Sequence, residues 1–558
     1  MGLREFFTGL AALLMAPLTE GSQEIPVQIV GGSKFGRYDI IGGERTYNMF
    51  ESDGWLVNFA GYRPGAYLIE SVAEGRGVFH SVRGGFLLVV VAGALYRLNT
   101  ISALPVNEED LTSGDFIGAL LTTTGEVFFD ENLSYQIAIV DGSQLYIYNY
   151  DPTFGYPGRF GICPQISHLI TGRALVPNYV TYQNSKFIVG NGLQTNEGQN
   201  FYAFFTASVN PTGLELSDPP IVNALQTKPD YAIACLRIPG KGNNMIVFGT
   251  TVAEIYQDIG SPTAYQRNST VNIDYGCASV ATIAASDEYV FWLGINEKSS
   301  PSLMVMSGGG AERISTDGID FLLSTIKFPS DSTALFYRQD GHLFYILTFF
   351  NAVDDLSIAY DVTSKKFLDL TDWDSSFFPA RQIVYFNNQS YFISLKNGYI
   401  YEFGTDITFY SVDAQFVYAI PRVRICDTQR FPRPEKFHIN LFTFTIENGT
   451  EPGAYFGHDC LGEMITEDEI DMITEDGFQL LDQGGYCDVY APRIDIRISK
   501  DGARTFSSAL PYYMHETGYY NNQPRFNRLG VGNMFTVELR FWGFWRFIAY
   551  NGMLEISQ

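Results

Sequence analysis

The chain has 558 residues, with 36 Lys and Arg against 61 Asp and Glu, a formal charge of −25 at pH 7. So acidic a balance excludes a protein that reads or grips nucleic acid, which needs a basic footprint, but not one that DNA slides past without sticking. Six scattered cysteines with no CxxC pair or Cys/His cluster argue against a zinc site, and no run of about 18 apolar residues occurs that would span a bilayer.

Residues 1–36 read as an N-terminal arm. Leu10 to Leu14, flanked by Phe6, Phe7 and Met15 and preceded by Arg4, resembles the apolar part of a signal peptide. Glu5, Gly9 and Pro17 interrupt that pattern, so an uncleaved arm that lies against the body or a neighbouring subunit is expected.

From residue 37 to 418, short aromatic-rich strand pairs recur. They run from Phe86 to Tyr96, Tyr135 to Tyr146, Phe187 to Phe204, Met245 to Tyr256, Tyr289 to Met306, Leu343 to Tyr360 and Tyr391 to Tyr401. Their closing residues are spaced by 50, 58, 52, 50, 54 and 41 positions. A repeat of about 40–50 residues with several short strands per unit predicts a six- or seven-bladed β-propeller. The composition agrees, because 44 Phe and 35 Tyr suit wide pleated surfaces and 54 Gly supply turns. Hairpin turns are expected at Asp141-Gly142, Asp340-Gly341, Asn387-Asn388 and Asn397-Gly398, and a short helix near Ile319 to Ile326.

Pro421 to Pro434 carries Arg422, Arg424, Arg430 and Arg433 among three prolines and reads as a boundary. Beyond it, residues 419–558 form a second all-β region. The alternating runs His438 to Ile446, Arg493 to Ile498 and Thr536 to Arg540 predict a β-sandwich-like domain. Inserted in it, residues 447–488 hold twelve acidic residues and no Lys or Arg. The pentapeptide Met-Ile-Thr-Glu-Asp stands there twice, at 464–468 and 472–476, before a degenerate copy at 479–483. Without the Asp-x-Asp-x-Asp-Gly spacing of a calcium loop, the segment reads as a solvated acidic protrusion.

Chemistry-bearing motifs are few. Ser499-Lys-Asp501-Gly-Ala503-Arg-Thr505-Phe506 is close to the Asp-box, a hairpin turn in which Asp and Ser bond the backbone and an aromatic plugs the core; Ala503 replaces its usual glycine and Phe506 its tryptophan. A glycosidase needs two carboxylates across a cleft, and the sequence nominates no pair. His80, His168, His342, His438, His458 and His515 have no metal-ligand spacing, and His458-Asp459-Cys460 reads as an exposed loop. Cys460 and Cys487 flank the acidic insertion and would bridge only in an oxidising medium; buried free thiols are the expectation. Ser307 to Gly310 falls in an expected β-turn, not ahead of a helix, and cannot use a helix N-terminus to hold phosphate. No catalytic, cofactor-binding or metal-ligating residue is assigned.

The order of several segments resembles a known family. Met245 to Tyr256 is followed by Tyr275-Gly-Cys-Ala278, Glu288 to Gly294, and Leu303 to Ser315. Thr46 to Met49 with Gly61-Tyr62, and later Ile498 to Gly502, Arg528 to Gly530 and Glu538 to Arg540, complete the pattern. It resembles that of the tail hub proteins of short-tailed bacteriophages, also called packaged-DNA stabilisation proteins, over roughly residues 25–558. The arm and the acidic repeats depart from it.

The resemblance implies a non-enzymatic virion protein, assembled in the host cytoplasm into a hexameric ring below the portal and its adaptor. Such a ring extends the DNA channel, retains the packaged genome and anchors fibres, tailspikes or a needle, while DNA passes without specific binding. The adaptor contact is expected at Arg422 to Arg433 or elsewhere on the surface. The alternative is a carbohydrate-binding or glycan-cleaving propeller at a virion or cell surface; a third reading is a secreted scaffold propeller.

Overall fold

Several strands of this chain are continuous apolar runs rather than alternating ones, because both of their faces are covered. Phe86–Val91 reads FLLVVV and is buried throughout. Leu87, Val89 and Val91 face one core, with Ile393 and Ile400; Phe86, Leu88 and Val90 face another, with Ile137, Ile139 and Tyr146. Gln136–Val140 divides likewise, sending Ala138 and Val140 to a core shared with Phe187 and Val189. Each such strand lies within a sheet packed between two other sheets.

The computed structural model describes residues 22–36, 43–67, 73–101, 114–163, 176–191, 201–206, 214–215, 221–260, 264–308, 310–412, 417–430, 436–448, 462–463, 481–482, 493–514 and 521–557. Five β-meanders stand as separate sheets. The first holds Gly75–Ser81, Phe86–Val91, Ala94–Leu98 and Asp115–Ala119. The next three begin with the strands Phe128–Glu131, Pro177–Gln183 and Ala234–Arg237, and the fifth is built on Tyr289–Asn296 and Ser299–Ser307. Two further four-strand runs follow. Ser332–Gln339, His342–Phe350, Asp355–Asp361 and Lys366–Leu370 form one; Ala380–Phe386, Gln389–Ser394, Tyr399–Gly404 and the much earlier Gly61–Tyr67 form the other.

Apolar clusters join successive sheets. Val290 and Trp292 pack towards Ile246 and Phe248, whereas Phe291 and Leu293 pack towards Tyr345 and Leu347. Phe344 and Ile346 then meet Phe392 and Tyr401, and Ile393 and Ile400 meet Leu87 and Val89 of the first sheet. The architecture is an all-β propeller. Five blades stand as sheets of their own, fewer than the six or seven expected, because the last two runs are hydrogen-bonded into larger sheets of ten and six strands.

The ten-stranded sheet crosses out of the ring. Lys366–Leu370 pairs in parallel with Arg45–Tyr47, which pairs with Arg422–Ile425, and this in turn with Met534–Trp542 and then Arg493–Ser499. A seven-stranded sheet lies against it, centred on Phe437–Asn448 and Phe547–Ser557. Ile494, Ile496, Val537 and Leu539 of one sheet share a core with Phe442, Phe444, Leu554 and Ile556 of the other. The described part of the arm is an edge strand there: Gln23–Val27 pairs with Gly552 to Ile556. The hairpin Met49–Ser52/Trp55–Asn58 borders the same strand.

Turn chemistry follows the sequence. Asp340 and Gly341 (φ 49° and 84°) and Asn387 and Asn388 (φ 49° and 64°) form tight two-residue hairpins in the left-handed region those residues tolerate. The helix is Asp317–Thr325, capped by the Thr316 side chain. Of the acidic insertion, the described residues are Glu447 and Asn448, which end the strand Phe437–Asn448, and Gly462–Glu463 paired with Leu481–Asp482. Its pentapeptide repeats, His458, Cys460 and Cys487, as well as Arg433, His168, His515 and arm residues 1–21, lie outside the described residues.

Candidate functional site

One end of the ring opens into a cavity of about 850 Å³ lined by Glu126, Asp141, Asn178, Ile233, Ser279 and Lys327 among others. These residues come from the connections between sheets and from the ends of strands in several of them. Glu126, at the cavity wall, ties distant sheets together. Its Oε2 accepts from Thr333 Oγ1 at 2.9 Å and its Oε1 from Gln382 Nε2 at 2.7 Å, tying the entry to the second sheet to the two closing runs. Burial pushes the Glu126 carboxyl up to about 7, against the opposing effects of Arg381, Gln382 and Thr333.

The Glu126 segment is itself held. Arg76 donates from Nε to Gly125 O at 2.6 Å and from Nη1 to Ala92 O and Thr122 O at 2.8 and 2.7 Å. Asp141, the other cavity carboxylate, is a turn residue: its oxygens accept from the backbone of Ser143 and Gln144 and from Thr122 and Tyr146. Burial raises its pKa, but those hydrogen bonds outweigh burial and hold it below the usual carboxylate value. With every oxygen engaged, it is no free acid or base.

A second constellation sits where the ring meets the C-terminal sheets. Arg424 is fully buried and forms an ion pair with Glu44. It also donates to Ile29 O at 2.6 Å and Thr46 Oγ1 at 2.8 Å, so one guanidinium fastens the arm to the strand that joins the ring to the C-terminal sheets. Burial raises the Glu44 pKa, but Arg424 and Lys34 outweigh it and hold that carboxyl below its ordinary value. Alongside, Arg45 Nε donates to Asp369 Oδ2 at 2.9 Å, and Ser33 Oγ to the same oxygen at 2.6 Å.

Arg422, 1% exposed, donates to the carbonyls of Gly543, Trp545 and Thr408 at 3.3–3.4 Å, and its guanidinium lies 6.0 Å from the centre of the Phe547 ring. Burial lowers its pKa to about 10. Arg422 and Arg424 therefore cannot be the adaptor-facing surface arginines expected from the sequence. Alternation along Arg422–Ile425 turns both inward, where they bond carbonyls and a carboxylate.

The Asp-box-like turn forms as the spacing predicts. Asp501 Oδ1 accepts from Arg504 N and Thr505 N at 3.1 and 3.0 Å, and Ser499 Oγ accepts from Ala503 N at 2.9 Å. Hydrogen bonds from the Ser499 and Thr505 hydroxyls, with those from Thr505 N and Arg504 N, hold the Asp501 carboxyl well below the usual range. Phe506 does not plug a core; it is half-buried, with the Arg497 guanidinium over its ring at 5.4 Å. Cys163, Cys235, Cys277 and Cys426 are buried free thiols. Ser307 and Gly310 flank a hairpin turn.

One arrangement has no sequence signal at all. Ser52, at the end of a hairpin strand, lies with Oγ 3.0 Å from His342 Nε2, and His342 Nδ1 lies 2.8 Å from Asp361 Oδ2. Asp361 is buried and accepts further bonds from Thr363 N and Ser364 Oγ. Ser52 and His342 are 290 residues apart, so no local spacing could announce them.

No curated protein matches this sequence. Three of the many solved structures that are similar in part illustrate the range. They are PorZ, described as an essential bacterial surface component of the type-IX secretion system of Porphyromonas gingivalis (11% identity, 64% of this chain, 39% of that one, TM-score 0.34); a Trichoderma reesei carbohydrate-active enzyme of family AA12 (11%, 64%, 97%, TM-score 0.30); and the AfRom2 CNH domain (8%, 61%, 98%, TM-score 0.35). All three TM-scores lie below 0.5, and these likenesses bear on no functional statement. The family model described as "Bacteriophage P22 Gp10, beta-propeller" matches residues 46–408. Its span takes in the ring from the Arg45–Tyr47 strand to the strands that close it, and on that match the chain belongs to this bacteriophage β-propeller family.

Proposed function

We propose that this protein is a structural tail hub: a virion component that extends the DNA channel below the portal and its adaptor, helps retain the packaged genome and anchors fibres or a needle. The observation that carries this reading is the family match over the propeller. We read the two runs fused into larger sheets as further blades, making a seven-bladed ring, and the paired C-terminal sheets as a β-sandwich.

The Glu126 tie supports a particular arrangement. Glu126, bonded to Thr333 and Gln382, ties distant sheets of the single ring together, so DNA would pass between copies rather than through one. A hexamer, assembled in the host cytoplasm, brings together six chains of charge −25. Its lumen would repel phosphates and let DNA leave without adhering. The ten-stranded sheet that joins ring to C-terminal region makes each subunit a stiff block, as a channel segment under packaging pressure requires.

The glycan reading gains no observation. Its Asp-box-like turn bonds only its own hairpin, and Asp141, the partner Glu126 would need in the cavity, is fully engaged.

The deciding experiment is quantitative mass spectrometry of purified virions against the portal protein. A copy number half that of the portal supports the hexameric hub. Absence from particles overturns it.

A further inference from the structure

We propose that Ser52, His342 and Asp361 form a base-activated serine that takes an acyl group from a small ester at the protein surface. This goes beyond the structural role and does not depend on it.

Three features of the geometry point this way. The two imidazole nitrogens are divided between a hydroxyl and a carboxylate, at 3.0 and 2.8 Å, which is the order in which a nucleophile, a base and an orienting acid must stand. Asp361 is fixed by Thr363 N and Ser364 Oγ, so it holds Nδ1–H and leaves Nε2 free to accept the serine proton. Ser52 itself is half-buried at the mouth of a hairpin, opposite Trp55, which is 44% exposed, so the hydroxyl lies at the edge of solvent.

The turn that follows, Asp53 and Gly54 with φ of 50° and 83°, leaves two backbone N–H groups outside the strand ladder next to Ser52 in the chain. Beside the site, Glu51 is paired with Lys366, so that carboxylate does not compete for the imidazole.

In the step proposed, Ser52 Oγ bonds to the ester carbonyl carbon while its proton passes to His342 Nε2. The C–O bond to the alcohol then breaks, and the alcohol leaves with that proton. Water, deprotonated by the same nitrogen, later releases the acid and restores the serine. Ser52 and His342 act as catalytic residues; Asp361 is a positioning residue.

A structural tie between hairpin and ring would show the same distances without reactivity, and the test separates the two. The full chain is treated with a fluorophosphonate, whose P–F bond is exchanged for an Oγ–P bond with loss of fluoride. Adduct formation is followed by peptide mass spectrometry across pH 5–9. The proposal expects an adduct at Ser52 formed about a hundredfold faster than at the exposed Ser508, with a pH profile distinct from that of Ser508. It also expects loss of that advantage in His342→Gln. No adduct at Ser52, a pH profile no different from that of Ser508, or undiminished labelling in a folded His342→Gln variant overturns it. The wild-type pH profile decides the matter even if the variant fails to fold.

Discussion

Thr333 Oγ1 donates to Glu126 Oε2 at 2.9 Å, joining the entry to the second sheet to a closing run 207 positions away. The tie makes the ring sensitive to protons. Burial raises Glu126 from 4.5 to about 7, so the folded chain keeps a proton that the unfolded chain releases. Its favourable contribution is full below about pH 4.5 and is lost as pH rises through about 7. Glu126→Gln keeps a neutral hydrogen-bonding group, so its melting temperature should match wild type near pH 4.5 and exceed it at pH 8, by up to about 3 kcal/mol of stability. Thermal melts across that range check this; parallel curves for both proteins contradict it.

The two junction arginines should respond in opposite ways. Arg424→Met leaves Glu44 buried without its main partner and should destabilise by about 3–5 kcal/mol. Among the described residues Arg422 has no carboxylate partner, so Arg422→Met removes a buried charge held by long bonds to carbonyls and by the Phe547 ring, and should leave stability unchanged or raised. Denaturant unfolding of both variants tests the contrast.

Ring closure has a tight point at Gly61, the first residue of the strand that pairs with Tyr399–Gly404. A Cβ there would meet Phe409 O at 2.3 Å and Ile407 O at 2.5 Å, both backbone atoms. Gly61→Ala should cost about 1–3 kcal/mol and hasten proteolysis near residues 61–67. An unchanged cleavage rate would show that the closing strand tolerates displacement.

Ala503 stands in the left-handed region, φ 69°, where the Asp-box usually has glycine. Ala503→Gly should stabilise the hairpin by about 1 kcal/mol, read as a rise in melting temperature. Asp501 has a depressed pKa in the folded chain, so its contribution is present at neutral pH and falls away in acid. Asp501→Asn should therefore flatten the acid limb of the stability curve.

Much of the ring was legible in the sequence because blades are local. Every marked strand pair from Phe86 to Tyr401 coincides with neighbouring strands of one sheet, and Asp340-Gly341 and Asn387-Asn388 turn where their backbone preference demands. The helix appeared within two residues of its expected start. Arg422 and Arg424 were misread as surface residues, since a pair of arginines two apart says which face they share but not whether that face is buried. The hairpin at Met49–Asn58 was assigned to the propeller, although its partner strand, Phe547–Ser557, lies at the other end of the chain.

The sequence by itself determined the all-β architecture, its repeat and the chemistry of its turns, because these depend on residues a few positions apart. Only the tertiary structure decided that the ring and the C-terminal region share a sheet, that Glu126 meets Thr333, and that Ser52 meets His342. Those contacts join residues hundreds of positions apart, and they arise only when the chain has closed on itself and every buried polar group must find a partner.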